Sequence, residues 1–154
     1  MGQIALTQTI VLGPAQINDI YLAAAGKTVI PLISSVAGQA LIFQSAIVSL
    51  IGGNGYPYYT DGDFYFSLAG ATLPPVPISN KISAHNIFDA ATIVNTASPP
   101  VISQFTCTNP YPFSITQSNG GILIPIVDSG QAGPNPSQAQ GQLSIYITYS
   151  ILTI

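Results

Sequence analysis

The chain has 154 residues and almost no charge: two lysines, five aspartates, no arginine and no glutamate. Charged residues make up 5% of it, whereas a typical soluble domain is roughly 25% charged. Because proteins neutralise nucleic-acid phosphates and anionic lipids with lysine and arginine, we expect neither a nucleic-acid nor a membrane partner. Charge also keeps free monomers soluble and guards sheet edges. We therefore expect a chain that works while packed against other protein chains.

Residues that carry chemistry are equally scarce. The single cysteine, Cys107, excludes an internal disulfide framework and a cysteine-rich zinc site, and one histidine, His85, leaves no set of zinc ligands. No nucleophile motif accompanies His85 and Asp89, and no glycine-rich phosphate loop is present. Asp61 and Asp63 flank a glycine in a turn pattern, and whether they bind a cation stays open. We expect no enzyme activity, no cofactor and no resident metal.

Patterns typical of helices are also missing, since apolar residues spaced by three and four are never opposed by a charged face. Instead, 13 prolines and 14 glycines divide the chain into short runs rich in Val, Ile, Thr, Tyr and Phe. This pattern predicts an all-β, single-domain antiparallel β-sandwich or barrel of about eight to ten strands over residues 1–154, with residues 1–14 able to act as an N-terminal arm. The candidate strands are Ala5–Leu12, Ile20–Ala24, Thr28–Ile33, Ala40–Ile51, Asp63–Ala69, Ile93–Asn95, Val101–Cys107, Phe113–Gln117, Ile122–Val127 and Gln142–Ile154.

Several segments carry further signals. The apolar stretch Thr28–Ile51 approaches the hydropathy of a membrane helix, but its proline, glutamines and serines favour two strands with a turn near Gly38. Pro125 interrupts one candidate strand, which is therefore expected at a sheet edge or a bend. A short helix is expected around Ser83–Ala91, with its leading serine as the cap. In the last strand, alternate residues form one apolar face and one mixed face that includes Tyr146.

Aromatic side chains on two predicted loops are the candidate contact residues. Tyrosines on loops bury a large area at low entropic cost and are favoured at contact surfaces. They would anchor a partner subunit or stack on a glycan, or they would close the ends of the sandwich. The absence of tryptophan favours subunit or core contact over a glycan. The residues are Tyr56, Tyr58 and Tyr59 on one loop and Tyr111 and Phe113 on the other.

Three segments follow a recognisable pattern in the same order along the chain. They are ALTQTIVLGPAQINDIYLAAAGKTVIPLISSV, then YYTDGDFYFSLAG, and finally the terminal GQLSIYITYSILTI. In these segments the chain resembles small β-sandwich structural and decoration proteins from the virions of tailed bacteriophages. The resemblance implies a jelly-roll sandwich, a non-enzymatic structural role in the particle and a homotrimer. The chain departs from that group in its final strand, which lacks the group's basic residues.

The function predicted on this basis is decoration or cementing of a phage capsid from its exterior, by an oligomer that adheres to other virion proteins. Two alternatives stay open. One is a receptor- or glycan-binding tip or knob of a tail or head fibre, acting through Tyr58, Tyr59 and Tyr111. The other is a self-assembling extracellular fibre subunit whose N-terminal segment, Met1–Leu12, completes the sheet of a neighbour. The sequence leaves open the site on the virion, the partner and the symmetry of the oligomer.

Overall fold

The computed structural model of the protein describes residues 5–23, 30–36, 38–51, 62–69, 77–88, 101–108, 122–128 and 141–153. Within these residues the strands form two antiparallel sheets of four strands each. In chain order the elements are β1 (Ala5–Leu12), α1 (Pro14–Ala23), β2 (Ile33–Ser34), β3 (Gln39–Ile51), β4 (Asp63–Ala69), β5 (Ile82–Ser83), α2 (Ala84–Phe88), β6 (Val101–Thr106), β7 (Ile122–Asp128) and β8 (Gln142–Thr153). The first sheet has the order β1-β8-β3-β6 and the second β2-β7-β4-β5.

The strand order is that of a jelly roll. The first strand pairs with the eighth, the second with the seventh, the third with the sixth and the fourth with the fifth. This is the pairing of one long antiparallel hairpin whose two arms roll up together. Two further pairings, β3 with β8 and β4 with β7, complete the two sheets. The expectation of an all-β, antiparallel sandwich of jelly-roll type is therefore confirmed.

Phenylalanine side chains form the centre of the core between the sheets. Phe43 and Phe105 come from the first sheet, Phe64 and Phe66 from the second, and Phe88 from α2. All five are buried, and neighbouring ring centroids lie 5.2 to 6.1 Å apart in stacked, tilted and edge-on contacts. Because successive side chains of a strand point to opposite faces, one face of each strand supplies this core and the other points outward.

Several predicted strands match the structure closely. Ala5–Leu12 and Asp63–Ala69 are strands over the same residues. Of the two strands predicted in the apolar stretch Thr28–Ile51, Ala40–Ile51 matches β3 within one residue, and a turn at Gly38, whose backbone φ of 79° favours glycine, precedes it. The prediction of a strand at Thr28–Ile33 is wrong over residues 30–32, because β2 covers only Ile33–Ser34. In β8, Leu143 and alternate residues after it are buried, as the period of two predicts. In the part of the chain that the structure describes, no helix is long and apolar enough to cross a membrane.

The prediction of a strand at Ile20–Ala24 is wrong, because α1 covers Pro14–Ala23. Proline suits the first helical position, where it has no N–H to lose and its fixed φ is already helical. The Gly13 N–H donates to Oε1 of Gln16 at 3.1 Å, which is the reciprocal half of a capping box. These local signals start a helix directly after β1.

The apolar face of α1 explains why the helix was missed. Ile17 and Ile20, three residues apart, are fully buried in the main core. The expectation that no helix of normal length exists relied on a charged opposite face, and a chain with so few charges cannot show one. In this chain a short apolar stripe after a capping signal is sufficient to indicate a helix.

The expectation that Pro125 marks an edge strand is wrong for β7 as a whole, since β7 lies between β2 and β4. It holds locally. β2 pairs only with Ile122 and Leu123, and Pro125 lies opposite Phe66 of β4. The proline therefore occupies a stretch where β7 is paired on one side only among the described residues, so its missing N–H breaks no ladder there.

The remaining predicted elements divide into two groups. The short helix expected around Ser83–Ala91 is present as α2, directly after β5. The strand expected at Val101–Cys107 is β6, which ends one residue earlier. The strands predicted at Ile93–Asn95 and Phe113–Gln117 lie outside the described residues.

Residues 77–80 join the two sheets along one side of the sandwich. Toward the second sheet, the Phe66 N–H of β4 donates to Oγ of Ser79 at 3.0 Å. Toward the first sheet, the Asn80 N–H donates to Thr106 O at 3.1 Å, and the Thr106 N–H donates to Asn80 Oδ1 at 2.7 Å. This segment therefore links β4 to the end of β6 near Thr106, while β1 forms the opposite end of the first sheet.

Candidate assembly surface

The first sheet contains no charged residue at all. Its strands β1, β3, β6 and β8 have 8, 13, 6 and 12 residues, 39 in all, and none is Asp, Glu, Lys, Arg or His. The polar residues among them are Ser, Thr, Gln and Tyr. We call the outward side of this sheet, away from the core, the uncharged face.

The strand register shows which side chains share the uncharged face. Core residues such as Ile145 and Val48 point inward, so the residues that flank them in each strand point outward. Large and small side chains are mixed in the outward rows. Two neighbouring rows, from β1 to β6, are Val11, Ser144, Ser49 and Ile102, and then Thr9, Tyr146, Ile47 and Gln104.

Large apolar side chains on the uncharged face are exposed. The exposed fractions are 66% for Ile102, 51% for Val11 and Ile51, 44% for Ile47, 42% for Tyr146 and 39% for Leu152. On the outward side of the second sheet, by contrast, Tyr65, Ile124 and Ile126 are at most 3% exposed. A monomer rarely exposes a contiguous apolar patch above a few hundred Å². The outward side of the first sheet therefore exposes large apolar side chains, and these residues of the second sheet do not.

The end strand β1 is exposed on both of its sides. Residues 5–9 are all exposed, although β1 pairs with β8 through eight consecutive register pairs. Leu6 lies opposite Tyr149, on the core side of the sheet, yet 38% of it is exposed. The second sheet therefore does not cover this half of β1. Among the described strands β1 pairs with β8 alone, and we call its other long side, with Leu6, the β1 edge.

Polar groups at one end of the uncharged face are already satisfied. The register between β3 and β8 shifts after Phe43, which makes Gln44 the extra residue of a β-bulge. The Gln44 carbonyl accepts the Cys107 N–H at 3.0 Å, and its side-chain Nε2 donates to Oγ of the fully buried Ser150 at 2.7 Å. Ser150 and Gln44 are therefore bonded to each other within the chain.

The charged residues that the structure describes lie elsewhere. Lys81 Nζ is 3.8 Å from Asp63 Oδ2 and 4.8 Å from the ring centre of Tyr65, on the second sheet. Asp63 therefore pairs with a lysine, and Asp61 lies outside the described residues. Within the described part of the chain, no three His, Cys, Asp or Glu residues come together as a metal site. Charge is thus separated from the uncharged face.

The aromatic residues predicted to make contacts cannot be placed relative to this face. All five lie outside the described residues. Their contribution to a subunit contact or to a glycan site stays a prediction. They are Tyr56, Tyr58, Tyr59, Tyr111 and Phe113.

Comparison with known proteins adds a structural likeness. No protein-family model matches the chain, and no curated protein matches it. A chain of the acidic stable capsid structure of Helicobacter pylori bacteriophage KHP30 aligns with 97% of this chain and 91% of its own length, at a TM-score of 0.44 and 10% sequence identity. A likeness at this level assigns neither a family nor a partner.

The uncharged face was not found from the sequence, although part of its signal was visible. Alternation in the last strand assigned Tyr146 to a mixed outward face. Only the register shows that Tyr146 lies beside Ile47 of β3 and in the row next to Val11 and Ile102. Apolar residues that lie far apart along the chain thus form one surface, and no local pattern shows this.

Proposed function

We propose that the chain is a non-enzymatic structural subunit on the exterior of a bacteriophage particle: a homotrimeric capsid decoration or cement protein that acts by adhesion to other proteins. The observation that carries the proposal is the uncharged face, with Ile102, Val11 and Ile47 exposed on a sheet without any charge. Permanent interfaces resemble a domain core cut in half. A face of this composition supports a function exercised in lasting contact with protein.

The step from a covered surface to a phage particle rests on the sequence resemblance. Its three segments include β1 with α1, then β4, and finally β8, which are elements of both sheets. Jelly rolls serve as capsid domains, lectins and cupins, so the fold alone does not select one of these roles. One histidine in the whole chain disfavours a catalytic metal centre, which supports the non-enzymatic choice.

The test is incorporation into particles. Phage particles are purified on a density gradient, and the copies of the chain per particle are counted by quantitative mass spectrometry. We expect the wild-type chain to sediment with the particles at a fixed copy number divisible by three. We expect Ile102→Asp to reduce that number at least tenfold, because the new carboxylate would have to lose its water on contact. A wild-type chain that stays with the soluble proteins refutes the proposal.

Val36→Asp is the matched control for this experiment. Val36 is also β-branched and 63% exposed, close to the 66% of Ile102, but it lies between β2 and β3 and outside the uncharged face. We expect its copy number to equal that of the wild type. A general effect of an added aspartate on expression or solubility would lower both variants together.

The same particles distinguish the fibre-tip alternative. A chain with Tyr58→Ala and Tyr111→Ala together is expected to incorporate normally, and the particles should adsorb to their host as the wild type does. Intact particles that no longer adsorb would favour recognition of a host receptor instead. Fragile or undecorated heads would place these loops at the contact with the capsid.

A further inference from the structure

We infer that the β1 edge binds the same edge of a second copy, as an antiparallel strand pair with two-fold symmetry. The two first sheets, of four strands each, then form one continuous sheet across the contact. The inference goes beyond the proposed function, because the contact uses the backbone of β1 and leaves the uncharged face free. A two-fold contact does not itself build a trimer, so it joins copies that belong to different trimers.

The β1 edge lacks the protection that exposed edge strands usually have. Such strands carry lysine, proline or a bulge, or are covered, because their backbone N–H and C=O groups otherwise pair with other chains. β1 contains no lysine and no proline, and its register with β8 is unbroken over eight pairs. Residues 5–9 are all exposed, so this half of the strand is accessible to a partner.

The backbone groups of the edge select an extended strand as the partner. Alternate residues of an edge strand direct their N–H and C=O groups away from the sheet, at the spacing of a further strand. A partner that covered these groups with side chains alone would leave them buried without hydrogen bonds, which is costly. A second strand satisfies them and extends the sheet in the same step.

The sequence of β1 is complementary to itself in one antiparallel register, which identifies that strand as a second copy of β1. With Gln8 opposite Gln8 of the second copy, aliphatic residues meet aliphatic residues and threonine meets threonine, which are favourable cross-strand pairs. The neighbouring symmetric registers place Gln8 opposite Leu6 or opposite Ile10 instead. Over this length the strands form about six to eight backbone hydrogen bonds. The pairs are Ala5 with Val11, Leu6 with Ile10, Thr7 with Thr9, and Gln8 with itself.

The same register covers the exposed side chain of Leu6. Leu6 lies on the core side of the sheet but is 38% exposed, whereas Ile10, also on that side, packs against the core. Directly opposite residues of an antiparallel pair point to the same side of the sheet. Ile10 of the second copy therefore lies beside Leu6, and the uncovered half of each strand lies next to the covered half of the other.

The distribution of charge permits this approach. The chain carries a net charge of −3, so two copies repel each other in general. β1 contains no ionisable residue, and the two copies therefore meet where neither carries charge. Because the two-fold axis is perpendicular to the joined sheet, both uncharged faces lie on the same side of it. The pair thus presents the two faces in one direction.

Disulfide trapping with the purified full chain tests the pairing and its register. A strand edge is a narrow contact, so free copies associate weakly and are trapped at high protein concentration in a glutathione redox buffer. In a Cys107→Ser background, one mixture combines Thr7→Cys with Thr9→Cys, and the other combines Leu6→Cys with Ile10→Cys. These pairs alternate between the wide and the close spacing of an antiparallel ladder, and a disulfide spans the close one.

We therefore expect disulfide-linked dimers from at least one mixture. Each variant alone should stay unlinked, because its two thiols are displaced by at least about 7 Å along the strands. The inference is overturned if neither mixture gives linked dimers. It is also overturned if a single variant links as readily as its mixture, since the register is then different or the collisions are random.

A charge at the centre of the pair provides the second arm of the experiment. Gln8→Lys, introduced into both members of the mixture that cross-links, places two lysines directly opposite each other, and we expect the yield to fall about fivefold. Gln104→Lys is the matched control, because Gln104 is also an exposed glutamine in a strand of the first sheet but lies in β6. Equal yields with Gln8→Lys and Gln104→Lys would refute pairing through β1. Circular dichroism confirms folding, and Gln8→Glu replaces Gln8→Lys if that variant does not fold.

The failure of this inference is separate from failure of the proposed function. If neither mixture cross-links but the chain is present in particles at a fixed copy number, the pairing is wrong and the function stands. If the cross-links form in the predicted register but the chain is absent from particles, the function is wrong and the pairing stands.

Discussion

Replacing Ser79 by alanine tests how residues 77–80 hold the two sheets together. Ser79 is 2% exposed, and its hydroxyl oxygen accepts the N–H of the fully buried Phe66 while the hydroxyl donates to Asn80 O at 2.8 Å. In Ser79→Ala the Phe66 N–H loses its acceptor where water cannot replace it. Leaving a buried donor without a partner costs about 1–3 kcal/mol, so we expect a loss of that size in the free energy of unfolding.

The variant Asn80→Ala shows whether burial determines the size of this loss. Asn80 Oδ1 accepts the Thr106 N–H at 2.7 Å, a shorter distance than the 3.0 Å of the Ser79 bond, but at an exposed position. Water can take over there, so we expect a loss of only about 0.5–1 kcal/mol. The exposed Ser34→Ala should change stability by less than about 0.5 kcal/mol.

Urea denaturation at one fixed protein concentration measures all three variants, because association adds to apparent stability. The reasoning makes burial, and not bond length, the deciding factor. It is refuted if Asn80→Ala costs as much as Ser79→Ala, or if Ser79→Ala cannot be distinguished from Ser34→Ala.

Two further predictions use thermal or urea unfolding. Gly38→Ala should cost about 1–2 kcal/mol, because φ is 79° although nothing lies within 4 Å of an added Cβ. Gly38→Asn should lower the free energy of unfolding clearly less than Gly38→Ala, because asparagine tolerates a positive φ better than alanine. An equal loss for the two variants would mean that the positive φ of Gly38 is not the cause of the destabilisation. Ile126→Asp should cost more than about 4 kcal/mol, because it buries an unpaired carboxylate. At a dilution where the wild type is monomeric, Ile102→Asp should lower the free energy of unfolding by less than about 0.5 kcal/mol. Equal losses for Ile102→Asp and Ile126→Asp would contradict the finding that the outward side of the first sheet is exposed and that of the second is buried.

Strand positions could be predicted because successive side chains alternate between the two faces of a sheet, although residues 5–9 of β1 are exposed on both faces. Ala5–Leu12 and Asp63–Ala69 were located to the residue, since turn residues bound a run with period two. The strand predicted at Ile20–Ala24 is wrong, although Ile20 and Tyr21 are residue types that favour strands. The start of the helix depended on Gly13 and Gln16, whose cap is a local signal that composition does not reveal. Sequence reasoning was thus reliable where burial alternates and weak where a cap decides.

The candidate surface was harder to predict for a different physical reason. Aromatic residues on loops, such as Tyr58, attract attention as contact residues because they are bulky and local in sequence. The uncharged face is built from Val11, Tyr146, Ile47 and Ile102, which come together only after four strands have taken their register. Each of these residues alone is an ordinary outward residue of a strand. A surface of this kind is a property of topology and can be recognised only when the strand order is known.

The position of the few charges gives the low charge content a specific meaning. If the few charged residues were distributed evenly over the surface, their low number would indicate only poor solubility. Among the described residues, Asp63 lies in β4 and Lys81 directly before β5, while the strands of the first sheet carry no charge and expose large apolar side chains. The residues Tyr65, Ile124 and Ile126 on the outward side of the second sheet are buried. A surface that must stay in water gains from charge, and a surface that must be covered gains from having none. This distribution is why we propose the first sheet as the surface that contacts other proteins.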